Sequence, residues 1–181
     1  MVAIATGDAY SVLALVDGPP PPALADMIDR LRATLLPLGR ANDADRNLLG
    51  ARIDRFVGDA DRSVILLAHG AGCRAAAWWA RLSPTHYVAR VAGAILVDPS
   101  AEAGRFASPG VALPFRSVTV DHSHPAAIAS LAREWGSELV TDGAEEAARG
   151  GRLLKLIDRL TGMVVAHDVL TAEKLARLRR G

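Results

Sequence analysis

Apolar residues along the chain fall into short continuous runs separated by stretches of helical spacing. The run 11–16 (SVLALV) ends at Asp17-Gly18 and predicts a strand followed by a turn. Pro19-Pro20-Pro21-Pro22 follows, a sequence tolerated at a helix start but not inside one. From Ala23 to Leu36, apolar residues at Leu24, Met27, Ile28, Leu31 and Leu35 have the spacing of one helix face. Residues 37–43 read as a loop. Residues 44–57 read as a second helix with Leu48, Leu49, Ile53 and Phe56 inward.

The run 63–68 (SVILLA) predicts a strand buried on both faces. The turn His69-Gly70-Ala71-Gly72 leads into a helix over 73–82. A second buried strand covers 91–97 and stops at Asp98-Pro99. A Gly- and Pro-containing loop over 100–114 precedes a strand at 116–120, and Asp121-His122-Ser123-His124-Pro125 forms a turn. Helices at 126–135 and 144–160 flank a short strand at 138–141. Beyond an apolar patch at 163–166, the tail reads as a basic helix over 170–180.

This β/α alternation predicts an α/β fold: a mostly parallel sheet with helices on both faces. The whole chain, 1–181, reads as one domain, with 1–10 and 162–181 as terminal extensions. In such sheets ligands bind at the carboxyl ends of the strands. The ligand-pocket candidates are therefore Gly18, His69, Gly70, Ala71, Asp98, Asp121, His122 and His124.

The composition is ordinary for a globular protein, 50% hydrophobic and 23% charged. A net charge of +1 argues against nucleic acid as a partner, because phosphate binding needs an excess of basic residues. The single cysteine, Cys73, excludes an intrachain disulfide and a cysteine zinc cluster. No apolar run approaches the roughly 20 residues of a membrane span. The first residues carry an early Asp8 and no basic n-region, unlike a signal peptide. A cytoplasmic protein is expected.

The turn at 68–72 has two readings. As Gly70-x-Gly72-x-x-Ala75, with Asp98 as ribose ligand, it resembles a dinucleotide fingerprint. The fingerprint normally opens a domain, however, and here a strand and two helices precede it. As small-x-nucleophile-x-small it is a nucleophile elbow. Ala68 and Gly72 supply the small residues that a close strand–helix approach requires, and Gly70 takes the nucleophile position.

Residues 63–80, SVILLAHGAGCRAAAWWA, resemble the V-I-L-V-G-H-S-L-G-C-x-A-A-x-x-W-A segment of the small single-domain serine hydrolases of the α/β-hydrolase fold, the relatives of the retinoblastoma-binding serine hydrolase. The resemblance continues through GAILVDPS, LPFRSVTVDHSHP and LAREWGSELVTDG. It spans roughly residues 11–160 and is specific over roughly 63–143.

The resemblance implies a three-layer α/β-hydrolase domain and a Ser–Asp–His triad, whose positions are not matched here. The serine position is Gly70. The acid position before Pro125 is His124. The base is expected in a Gly-His after the last short strand, where this chain has Gly143-Ala144 and no histidine until His167. The Ala71 N–H is one oxyanion donor; the residue expected to provide the second is Pro19, which has no N–H. The implied protein is a catalytically degenerate homologue that binds a small ligand or a protein partner. No catalytic residue, metal or cofactor is assigned, and a homodimer is the expected assembly.

Two alternatives remain. One is an active esterase-like hydrolase with a relocated nucleophile, such as Ser123, or a metal at His122 and His124. The other is a Rossmann-like nucleotide-binding domain. Cys73 reads as a small buried packing residue. Trp78 and Trp79 point about 100° apart, so one is expected on the sheet and the other over a neighbouring helix or a partner. Restoring only the serine, by Gly70→Ser, is expected to leave the protein inactive because no acid orients a base.

Overall fold

The computed structural model describes residues 10–39, 42–102, 104–107, 110–122 and 126–141. The expectations for His124, Ser123, the helices at 144–160 and 170–180, the N-terminal extension before Tyr10 and the C-terminal extension lie outside them. The described elements are β1 (Ser11–Val16), α1 (Pro22–Arg30), β2 (Thr34–Pro37), α2 (Asp43–Asp59), β3 (Val64–His69), α3 (Ala71–Leu82), α4 (Thr85–Val88), β4 (Val91–Val97), a 3-10 turn (Gly104–Phe106), β5 (Arg116–Asp121), α5 (Ala126–Glu134) and β6 (Glu138–Thr141).

Six strands form one sheet in the order β2-β1-β3-β4-β5-β6, and every neighbouring pair is parallel. Side chains alternate across it. Leu13, Leu15, Leu66, Ala68, Ala94 and Leu96 point to one face, where α2 and α3 pack with Leu49, Ile53, Val57 and Trp79. Val12, Ala14, Val16, Ile65, Leu67, Ile95 and Val97 point to the other, against Leu24, Met27 and Ile28 of α1. The continuous apolar strands are thus buried on both sides, as their sequences predict. The chain order reverses between β1 and β3, so the crevice expected to hold a ligand opens over the ends of these two strands.

Two parts of the sequence reading are corrected. The helix expected to run to Leu36 ends at Arg30. Arg32 turns the chain with φ +50, its N–H bonding Asp29 O and the Ala33 N–H bonding Ile28 O, which is a Schellman closure. Residues 34–37 then pair with Leu13–Val16 as β2. Pairing with β1 outweighs the helical spacing of Leu31 and Leu35.

Leu48 is also not inward; it is 48% exposed. The buried stripe of α2 is Leu49, Ile53 and Val57, and Gly50 faces the Trp78 ring. Both tryptophans are buried, so neither is left for a partner. Trp79 donates to Asp54 Oδ1 at 2.8 Å, and Trp78 lies between Arg46 and Phe106.

Helix α3 crosses β1 at Gly72. A Cβ on Gly72 would overlap the Leu15 carbonyl oxygen and sit 2.8 Å from its carbon. In an ordinary helix Gly→Ala stabilises by about 0.5–1 kcal/mol. Here the obstacle is backbone, which cannot rotate away. Gly72→Ala is expected to destabilise the fold by about 2 kcal/mol or more, as overpacking does, measured by chemical denaturation. A neutral or stabilising result would contradict this crossing.

Candidate functional site

The first residue of the site is set by β3 ending in an abrupt change of direction. Gly70 has φ +59 and ψ −126, immediately before the first turn of α3. An L-residue rarely adopts this conformation, whereas glycine does so freely. Its N–H donates to Val97 O at 3.1 Å, and its carbonyl accepts from Ser100 at 3.1 Å and from Cys73 at 3.3 Å. The elbow is therefore tied to the loop that follows β4. Arg74 secures the same loop, donating from Nε to Ser100 O at 2.9 Å and from its guanidinium to Ala101 O at 2.6 Å. Sequence reasoning missed Arg74; a long cation four residues past the elbow was the available signal.

Among the described residues, an added Cβ on Gly70 would meet only the Asp17 side chain, at 3.7 Å. The position thus has room for a side chain, and the backbone strain is what opposes one. Gly18 also turns with φ +74, at the end of β1. Ala71 opens α3, so its N–H has no partner within the helix. Cys73 is fully buried, its thiol donates to Val97 O at 3.5 Å, and burial pushes its pKa far up. It is a packing residue with no nucleophilic character.

The parallel register Val97↔Val120 sets the ends of β4 and β5 side by side. Asp98 and His122 meet there. The His122 backbone N–H donates to Asp98 Oδ1 at 2.9 Å, and the ring Nδ1 lies 2.9 Å from Oδ1 and 2.8 Å from Oδ2. The pair is only partly exposed, 20% for the His122 side chain and 31% for Asp98. Asp98 has φ +44 directly before Pro99, where sterics favour extended backbone. Such a conformation costs on the order of 1–3 kcal/mol and persists only where surrounding bonds enforce it. Here they are the three contacts from His122 and the Asp98 N–H bond to Val120 O.

His69 completes the cluster. Burial lowers its pKa below the ordinary 6.5; the Asp98 and Asp17 carboxylates oppose that shift and His122 adds to it. Its Nδ1 is buried and has no hydrogen-bond partner among the described residues. Asp121 is buried at the end of β5 and engaged in an interaction. Of the eight pocket candidates, His69, Gly70, Ala71, Asp98 and His122 come together; Asp121 is buried at the end of β5, Gly18 lies in the turn after β1, and His124 lies outside the described residues. Among the described residues no three His, Cys, Asp or Glu side chains converge as a metal site requires, and no helix is long and apolar enough to cross a membrane.

The model of the serine hydrolase family matches residues 40–147, which include the elbow, Asp98 and His122. The chain belongs to the serine hydrolase family. Three solved structures share the fold of this family member. A protein assigned as a YdeN-like hydrolase from Pectobacterium atrosepticum matches with a TM-score of 0.59 at 21% identity, over 83% of this chain and 92% of its own. A protein assigned as a carboxylesterase from Lactobacillus plantarum matches at 0.51 and 14%, over 84% and 86% of the two chains. The Bacillus cereus carboxylesterase matches at 0.51 and 13%, over 85% and 90%. No curated protein matches the sequence. The elbow reading of residues 68–72 thus fits the family better than the dinucleotide reading, and Asp98 is engaged with His122 rather than free for a ribose.

Two measurements check this site. Gly70→Ser is expected to lower stability by about 1 kcal/mol or more, because serine takes on the strain at φ +59 that glycine avoids. An unchanged thermal melt would mean the turn relaxes around the new side chain. The second concerns pH. His69 resists protonation in the fold, so its contribution to stability is complete above pH 6.5 and is lost as pH falls below it. The melting temperature of the parent should drop from pH 7 to pH 5 more steeply than that of His69→Gln. Identical slopes would remove His69 as a source of acid sensitivity.

Proposed function

We propose that this serine hydrolase family member has lost serine acyl transfer and acts, as a pseudoenzyme, by binding a small ligand or a protein partner at the carboxyl edge of its sheet. One observation carries the reading: the elbow conformation is intact at Gly70, and the residue there has no side chain to acylate. Formation of an acyl-enzyme needs an oxygen or sulfur nucleophile at that point. Cys73, a few residues on, is buried and turned to Val97 O. Pro19, expected to be the second oxyanion donor, has no N–H to give. The proposed setting is a cytoplasmic homodimer.

The test is activity-based. The parent protein, treated with a fluorophosphonate and weighed intact, is expected to gain no adduct. Its hydrolysis of p-nitrophenyl acetate should not exceed that of an unrelated control protein. An adduct, or a turnover of around 1 s⁻¹, would overturn the reading. If that turnover vanished with a chelator, a metal at His122 and His124 would replace it.

A further inference from the structure

We infer that Asp98 and His122 form an acid–base pair that accepts the proton of a hydroxyl group standing over Gly70. The family resemblance places acid and base elsewhere in the chain, at His124 and after Gly143. The pair found here is assembled on the loops that follow β4 and β5.

The His122 Nδ1 faces both oxygens of the Asp98 carboxylate, which can only accept, so Nδ1 carries the hydrogen. In the neutral ring Nε2 is then a bare acceptor. It is shielded from water, and among the described residues it has no hydrogen-bond partner. An acceptor so shielded from water gains from an O–H or N–H donor that reaches it.

Three observations put the pair beside the elbow. Gly70 N–H bonds Val97, the residue before Asp98, and Gly70 O accepts from Ser100, two residues after it. His69, the residue before Gly70, is within electrostatic reach of Asp98, Asp17 and His122. Among the described residues only Asp17 comes near a Cβ added at Gly70. A hydroxyl there would replace the oxygen that the glycine lacks. The ligand class is therefore a hydroxyl-bearing small molecule, or water, with the Ala71 N–H available to an acceptor on the same ligand. Asp98 is the positioning residue: it fixes the ring and its tautomer, the role of the carboxylate in a serine triad.

The first test supplies the hydroxyl from the protein. Gly70→Ser is treated with a fluorophosphonate. In the expected reaction the introduced oxygen bonds phosphorus as the P–F bond breaks, His122 takes the hydroxyl proton, and fluoride leaves. In contrast to the inactivity expected when acid and base are sought only at His124 and after Gly143, labelling should appear by intact mass, and adding His122→Gln should slow it by about 100-fold, the lower range for loss of a general base. Asp98→Asn, which tolerates positive φ equally well, should leave Gly70→Ser folded but change the pH profile of labelling, because an amide can hold the imidazole in either tautomer. The parent distinguishes the two hydroxyl sources. Hydrolysis of p-nitrophenyl acetate that is lost in His122→Gln identifies water; no parent hydrolysis beside a labelled Gly70→Ser identifies a ligand hydroxyl.

A folded Gly70→Ser that stays unlabelled, or is labelled equally without His122, overturns the inference. It would leave the pseudoenzyme reading standing, whereas an adduct on the parent would sink that reading and leave this one untouched. A further measurement does not depend on the variant folding. Nitrogen NMR of the parent's histidines, with His122 assigned through His122→Gln, should show the Nδ1–H tautomer; an Nε2–H tautomer would overturn the inference.

Discussion

Helix α3 runs so close to β1 at Gly72 that the Leu15 carbonyl occupies the place of a side chain. The rest of the site depends on this crossing. To bring the helix that near, the chain must leave β3 and turn within a single residue, and the turn places Gly70 at φ +59 with ψ −126. Its carbonyl then faces back toward the loop after β4, where Ser100 binds it. The order β2-β1-β3 opens a crevice at the same end of the sheet. Helix position, elbow conformation and loop attachment therefore follow from one backbone contact.

The central strands were legible because burial on both faces leaves an uninterrupted apolar run, and β1, β3 and β4 have nearly the predicted limits. The edge strand β2 was not. It is only partly buried, and Leu31 and Leu35 carry the spacing of the preceding helix across the boundary. A glycine at the αL position would have marked the stop, but Arg32 occupies it. The short helix α4 went unread because its four residues show no periodicity. The inward face of α2 was misread at Leu48 because Gly50, which shows no hydrophobic signal, gives its place to the Trp78 ring.

At the site, the elbow was legible from residue size alone: Ala68 and Gly72 around Gly70 already specify a close approach. The Asp98–His122 pair was not. Both residues stood among the pocket candidates, but 24 positions separate them and no local pattern links an aspartate after one strand to a histidine after the next. Only the register of β4 on β5, with Val97 abreast of Val120, brings them into contact. The family pattern drew attention instead to His124 and to the segment after Gly143.

Strain is distributed unevenly over this edge. At the elbow the left-handed turn is held by glycine, where it costs little. One loop away, Asp98 holds φ +44 before a proline, a position where glycine would relieve the backbone. Among the described residues the other non-glycine positive φ, Arg32, is accounted for by closing α1. No such capping explains Asp98. What an aspartate supplies there, and a glycine does not, is the carboxylate that receives the His122 ring and backbone N–H. Packing alone would favour relaxing both turns. One turn is thus relaxed by glycine, and the other is held under strain by a carboxylate–imidazole contact at the same edge of the sheet.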